Sequence, residues 1–378
     1  MGLVDGFGRS RTARRLRIAQ VAPLIESVPP RMYGGTERVV SYLTEELVRQ
    51  GHDVTLFASG DSETTARLVA PCAHALRLSG CHDAAAHHLV MVEEVVRGAR
   101  NFDLIHFHID YLHFPVMRRE GLTHVTTLHG RLDLPELDRL YEVFGDMPVV
   151  SISDAQRAPL AGAAWQGTVQ HGLPRDLYRL GTGQGGYLAF LGRFSPEKRP
   201  DLAIEIARRA GLPLRIAAKL DRADRDYYNR HLAPLVCQGH VELVGEIGET
   251  DKQAFLGDAS ALLFPIDWPE PFGMVMIEAL ACGTPVIAFR RGSVPEVIDD
   301  GISGFICEDA DEAVRAIERL PELSRARCRE RFETRFTSTR MALDYLDIYR
   351  RQLEQTHEGR EPAGPAGLLD PRHHVARG

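Results

Sequence analysis

Glu270 and Glu278 lie eight positions apart in the stretch WPEPFGMVMIEALACG. Carboxylates of this kind accept hydrogen bonds from sugar hydroxyls, and the free amides of a helix start receive an anion. Each also has a plainer reading, a solvated loop carboxylate for Glu270 and a helix-surface one for Glu278. Arg193 and Lys198 bracket a turn in LGRFSPEKRP. Two cations so placed neutralise phosphate oxygens, arginine with directional contacts and lysine with a mobile charge; as a bare surface loop they would serve only solubility. His129 follows an apolar run, His124 to Leu128, and either bonds a ligand through a ring nitrogen or is structural. Gly34-Gly35 precedes a helical pattern and permits close approach by a phosphate or sugar, although a glycine pair often only turns the chain. A sugar linked to a diphosphate would use the Arg193–Lys198 loop and the Glu270/Glu278 unit jointly.

The elements that must position these residues are short strands alternating with helices. Ala261 to Pro265 reads as a buried strand, Met274 to Ala281 as a helix closed by Cys282-Gly283, and Pro285 to Phe289 as the next strand. The chain opens the same way, with a strand over Leu16 to Ala22, a Pro-rich loop, a helix over Thr36 to Gln50 and a strand over Val54 to Ala58. Thr36 is the expected cap of that helix, and Val39, Val40, Leu43 and Leu47 its apolar stripe. Further strands are expected at Leu104 to Phe107, His124 to Leu128, Val149 to Ile152, Thr168 to His171, Tyr187 to Leu191, Leu214 to Ala218 and Val241 to Val244. Helical segments are expected within His82 to Arg100, at Pro200 to Arg209, and over Leu323 to Arg350 with a break near Thr337-Ser338. Strand ends carry the candidate residues, as expected where open α/β sheets bind ligands.

This is an α/β chain in two lobes. Residues 1–174 form the first, 175–186 a Gly/Pro-rich linker, 187–336 the second, 337–355 a final helix and 356–378 a flexible polar tail. No GxGxxG pattern marks a dinucleotide site. With 378 residues, 44% of them hydrophobic, two cores are affordable, and the formal charge of −7 argues against nucleic acid as a partner. Six cysteines lack any disulfide or metal rhythm and read as reduced thiols in a cytoplasmic protein; no metal site is expected. No segment reaches transmembrane length, and the basic start, Arg9 to Arg17, lacks a signal-peptide core.

In order along the chain, GGTERV at Gly34 to Val39, LHG at Leu128 to Gly130, GRFSPEK at Gly192 to Lys198, and EPFGMVMIE at Glu270 to Glu278 followed by ACGTPVIA resemble the GT4 family of retaining glycosyltransferases. The resemblance implies a GT-B architecture, two Rossmann-like domains facing across a cleft, with the last helix returning to the first domain. It implies transfer of a hexosyl group from a nucleotide diphosphate sugar to an acceptor hydroxyl, with no cofactor and no metal. Arg193 and Lys198 would hold the donor diphosphate, Glu270 the sugar hydroxyls and Glu278 the ribose. Gly34 and Gly35 would approach the donor, His129 would lie by the transferred sugar, and Phe272, Gly273 and Met274 would offer main-chain donors. Glu37 and Asp110 are acceptor-side candidates. Carbohydrate and lipid-linked acceptors both remain open, the latter at the inner face of a membrane with peripheral contact. A sugar-nucleotide hydrolase, a retaining sugar phosphorylase and a non-catalytic carbohydrate-binding or scaffold protein on the same fold are the rival readings.

Overall fold

The structure, a computed structural model, describes residues 14–358 apart from 33, 78 and 238. Most of the expected tail, and Arg9 and Arg11 of the basic start, lie outside the described residues. Seven strands build the first sheet: β1 (Arg17–Val21), β2 (Asp53–Phe57), β3 (Arg67–Val69), β4 (Leu104–Phe107), β5 (His124–Thr127), β6 (Pro148–Ser151) and β7 (Ala164–Thr168). Their order is β3-β2-β1-β4-β5-β6-β7, with every pairing parallel. Six more form the second: β8 (Leu188–Arg193), β9 (Leu214–Lys219), β10 (Val241–Gly245), β11 (Ala261–Phe264), β12 (Val286–Phe289) and β13 (Gly304–Cys307), in the order β10-β9-β8-β11-β12-β13, again parallel.

Parallel strands need crossovers that cover both faces, so their side chains read as unbroken apolar runs. VIAF of β12 and ALLF of β11 are buried at every position. In each sheet the order reverses beside the first strand, between β1 and β4 and between β8 and β11. Such switch points open a crevice at the carboxyl ends of the strands.

Several expectations are corrected. The Gly35–Arg49 helix has Gly34 as its N-cap with no side-chain cap bond, so Thr36 lies inside the first turn instead of capping it. The strand expected at Thr168 to His171 lies earlier, at Ala164–Thr168, and His171 falls beyond its end. The short edge strand β3 and the strand β13 have no counterpart in the periodicity reading, because three or four residues carry too little pattern to separate them from loop. The Gly-rich segment before β8 is packed, not free. Gly181 and Gly183 donate to the carbonyls of Cys282 and Gly257 at 2.9 and 3.0 Å, and a Cβ on Gly181 would sit 2.2 Å from the Gly257 carbonyl oxygen.

Helix Ser338–Glu358 crosses from the second sheet to the first. Leu173 and Phe336–Ser338 exchange backbone bonds of 2.9 and 2.7 Å at the crossing. Met341, Tyr345 and Tyr349 then join the same buried cluster as Leu43 and Leu47 of the Gly35–Arg49 helix. Glu249 adds a polar tie: Arg38 and Tyr178 contact its carboxylate, and Tyr42 donates to it at 3.0 Å. The two lobes are thus joined by a shared core and a carboxylate hub.

Candidate active site

The carboxyl ends of both sheets open onto one cavity of about 520 Å³. From the first sheet come Pro23 and Ile25 after β1, His129 after β5 and His171 after β7, and from the second Gly192, Lys219, Phe264 and the loop of Glu270. Two helices point their N-termini into it. Gly35, Thr36 and Glu37 belong to the first turn of the Gly35–Arg49 helix, and Met274 and Val275 open the Met274–Ala281 helix behind Gly273. Gly273 has φ 78°, a left-handed conformation that turns the chain from the acidic loop into its helix and is natural only to glycine. Gly35 has open space where a Cβ would stand, so its backbone is bare to an incoming group. At each helix start the first amides have no intrahelical partner, and the positive end of the helix dipole lies there.

Lys198, on a short turn after β8, forms an ion pair with Glu270, whose Oε2 also accepts from the Trp268 indole at 2.8 Å. The side chains retain only 13% and 10% exposure. Glu270 is held from behind by Gly292, at φ 52°, where a Cβ would fall 2.3 Å from the Glu270 carbonyl oxygen. Glu278 is the one acidic residue in the otherwise apolar MVMIEALA and is buried; Lys252 compensates it at 2.6 Å. A buried carboxylate demands such a partner.

Of the residues singled out from sequence, Gly34, Gly35, Glu37, His129, Lys198, Glu270, Phe272, Gly273, Met274 and Glu278 all line the cavity. Arg193 and Asp110 are not among its lining residues. Arg193 is the last residue of β8, and its guanidinium turns to Glu197 at 2.7 Å and Asp221 at 3.7 Å, while its neighbour Gly192 reaches the cavity with backbone alone. Asp110 sits exposed in the loop after β4 at φ 54°, a strained position for a residue with a Cβ. Glu37 is buried, and desolvation raises its carboxyl pKa above the ordinary value.

Sequence reasoning missed Lys219, Lys252, Arg38, Arg77 and His171 as lining residues. A glutamate inside an apolar helix was the available signal for Lys252; the others meet the site only through the fold. His171 stacks on His129 with ring centroids 5.3 Å apart and meets the edge of Phe272 at 4.8 Å. Burial holds both imidazoles neutral, pushing His129 down to about 3 and His171 well below its ordinary value.

Behind His129 runs a file of buried polar groups. His129 Nε2 meets His108 Nδ1 at 2.9 Å, His108 Nε2 meets Gln20 Oε1 at 2.9 Å, and Gln20 Nε2 donates to the Tyr349 hydroxyl at 3.1 Å. That hydroxyl meets His106 Nδ1 at 2.7 Å, and His106 Nε2 meets Thr127 Oγ1 at 2.7 Å. His106 and His108 alternate along β4 and its extension, so both face the same side of the sheet.

Comparison with known proteins adds the family. Residues 182–335 match the model described as glycosyl transferases group 1, and residues 33–157 the model described as glycosyltransferase family 4. The chain belongs to the GT4 family of glycosyltransferases. A D-inositol 3-phosphate glycosyltransferase of Salinispora tropica is 32% identical over 201 residues, 45% of this chain and 39% of that protein. An N-acetyl-alpha-D-glucosaminyl L-malate synthase of Bacillus anthracis is 34% identical over 30% of this chain and 32% of that one. The chain therefore spans well under half the length of these first curated relatives. Spore coat protein SA of Bacillus subtilis is 23% identical over 89% of this chain and all of that one.

Among solved structures, sucrose-phosphate synthase from Thermosynechococcus elongatus superposes with a TM-score of 0.74 at 20% identity, covering 90% of this chain and 100% of that one. An Anabaena protein crystallised with UDP and glucose gives a TM-score of 0.70 at 16% identity, covering 89% and 100%. These likenesses establish the GT-B fold, two parallel α/β sheets facing a cleft. Among the described residues no helix is long and apolar enough to cross a membrane.

Proposed function

We propose that this chain is a retaining glycosyltransferase that moves a hexosyl group from a nucleoside-diphosphate sugar to an acceptor hydroxyl. The observation that carries the reading is the convergence of two helix N-termini and Lys198 on one cavity between the lobes. Helix-start amides and a cation at one cleft suit a diphosphate, and they stabilise it most as it departs and gains charge. Sugar-transfer names among the relatives, and UDP with glucose in a structure of the same fold, support the same chemistry.

On this reading the bond between the anomeric carbon and the diphosphate oxygen breaks, and the acceptor oxygen bonds that carbon from the same face. The acceptor proton passes to a donor phosphate oxygen. Lys198 and the amides around Gly35 and Gly273–Val275 hold the leaving diphosphate. Glu270 accepts from sugar hydroxyls, and Glu278, steadied by Lys252, accepts from the ribose. Glu270 is a binding group and not a nucleophile, because a nucleophilic mechanism in glycosidases pairs two opposed carboxyls about 5 Å apart across the bond. Glu37 lies on the acceptor side. Phosphate charge is met by cations and amides, and no resident cofactor is assigned. The acceptor is a carbohydrate or a lipid-linked hydroxyl compound met from the cytoplasmic side.

The test is product analysis with UDP-, GDP- and ADP-sugars and a panel of hydroxyl acceptors. A new glycoside with the donor's anomeric configuration is expected. Free sugar alone marks a hydrolase, sugar 1-phosphate formed with inorganic phosphate marks a phosphorylase, and either result overturns the reading.

A further inference from the structure

His129 lines the cavity, yet its Nδ1 is buried and has no hydrogen-bond partner. Its other nitrogen, Nε2, is bonded to His108. A neutral imidazole has one donor and one acceptor, so the bond at Nε2 decides what Nδ1 can be. The decision is made further back. Gln20 presents its carbonyl oxygen to His108 Nε2 and its amide nitrogen to the Tyr349 hydroxyl. His108 Nε2 must therefore carry a proton, leaving His108 Nδ1 as an acceptor, and His129 Nε2 must donate to it. His129 Nδ1 is then a bare lone pair.

The opposite polarity requires Gln20 to reverse its amide and the Tyr349–His106 bond to reverse with it. It would leave an N–H on His129 Nδ1, buried and without an acceptor. An orphaned buried donor is costlier than an under-used acceptor. Gln20, His108, His106 and Tyr349 are all fully or almost fully buried, so water does not scramble the file. Both far members are anchored in different elements, His106 in β4 and Tyr349 in the helix that crosses from the second lobe.

We propose that Gln20 is a positioning residue: through His108 it fixes the orientation and tautomer of His129 in the cavity wall, protonated at Nε2 and bare at Nδ1. The tautomer follows from the hydrogen-bond file alone; its effect on turnover rests on the sugar-transfer reading. Gln20 is set by Tyr349, so the Ser338–Glu358 helix reaches the cavity wall through a polar file and not only through packing.

The test uses the full chain labelled with 15N-histidine and long-range proton–nitrogen correlation, with His129→Gln to assign the resonances. Wild-type His129 should show a protonated Nε2 and an unprotonated Nδ1, unchanged from pH 8 to about pH 6. In Gln20→Leu, or Gln20→Met if the leucine variant fails to fold, His129 should exchange between tautomers. A protonated Nδ1 in the wild type, or an unchanged spectrum in the variant, overturns the assignment without any substrate present.

In turnover, Gln20→Leu should lower kcat about tenfold with donor KM within about twofold, and Gln20→Glu, whose carboxylate can only accept from His108, should recover most of the loss. Equal losses in both folded variants overturn the role of polarity. A wild type with the expected tautomer but no transfer activity would instead overturn the sugar-transfer reading and leave the tautomer assignment standing.

Discussion

Replacing Lys198 by alanine separates two effects that the ion pair with Glu270 combines. The first is electrostatic compensation inside the protein. Removing one member of a buried pair costs about 3–5 kcal/mol because the other charge is stranded. Here both side chains keep a little solvent, 13% and 10%, and Trp268 still donates to Glu270 at 2.8 Å, which places the loss near the low end, about 3 kcal/mol. At roughly 2–4 °C per kcal/mol for a domain of this size, melting should fall by about 6–12 °C. The second effect is on the reaction. Losing one preorganised group that meets the departing charge lowers kcat by about a hundred- to a thousandfold. Lys198→Ala combined with Glu270→Gln removes both charges, so most of the melting loss should return. Turnover should not. Calorimetry alongside initial rates of glycoside formation reads both. A double variant that folds and turns over within about threefold of wild type would refute the reasoning, since Lys198 would then serve only to neutralise Glu270.

Acid lability should begin in the neutral range. Burial holds His106, His108, His113, His129 and His171 below their ordinary value in the folded state, so the unfolded chain takes up protons first as pH falls through about 6.5. Stability is then lost by about 1.4 kcal/mol per pH unit for each such histidine, while Glu26 and Glu37, whose pKa values burial raises, act with the opposite sign above about pH 4.5. Melting temperature should be flat from pH 8 to 7 and drop steeply toward pH 5.5; a flat profile to pH 5 would contradict the neutral-histidine assignment. Gly292→Ala forces a Cβ to 2.3 Å from the Glu270 carbonyl oxygen and into a left-handed conformation that costs about 1–2 kcal/mol. The Glu270 loop should shift, with lower melting and donor KM raised about tenfold, and an unchanged KM in a folded variant would show that Glu270 is not set by that contact.

Much of the molecule was legible in local pattern. The strand–loop–helix–strand unit around Glu270 and Glu278 reads correctly because ALLF, MVMIEALA and VIAF are nearly unbroken apolar runs closed by Cys282-Gly283, and burial on both faces leaves no other use for them. The Met274–Ala281 helix has the bounds its periodicity predicts. Thr36 misled, since a threonine near a helix start is the usual cap, yet a glycine pair there lets the helix begin a residue earlier with its amides exposed. Arg193 and Lys198 stand close in sequence and invite one shared role. Arg193 ends β8 and Lys198 lies five residues on in the turn, and they diverge, one toward Glu197 and Asp221 and the other toward Glu270. Linear spacing across a turn does not fix side-chain direction.

The sequence by itself determined the alternation of strand and helix, the two-lobed layout and the residue types able to meet a sugar and a diphosphate, because those follow from apolar periodicity and side-chain chemistry within a few positions. Only the tertiary structure decided that Lys252 answers Glu278, that Glu249 gathers Arg38, Tyr42 and Tyr178, and that Gln20 stands between His108 and Tyr349, 329 residues away along the chain. The physical reason is that a buried charge or polar group must find a partner, but which partner it finds depends on the strand order and the final crossing helix, which bring distant segments within hydrogen-bond reach.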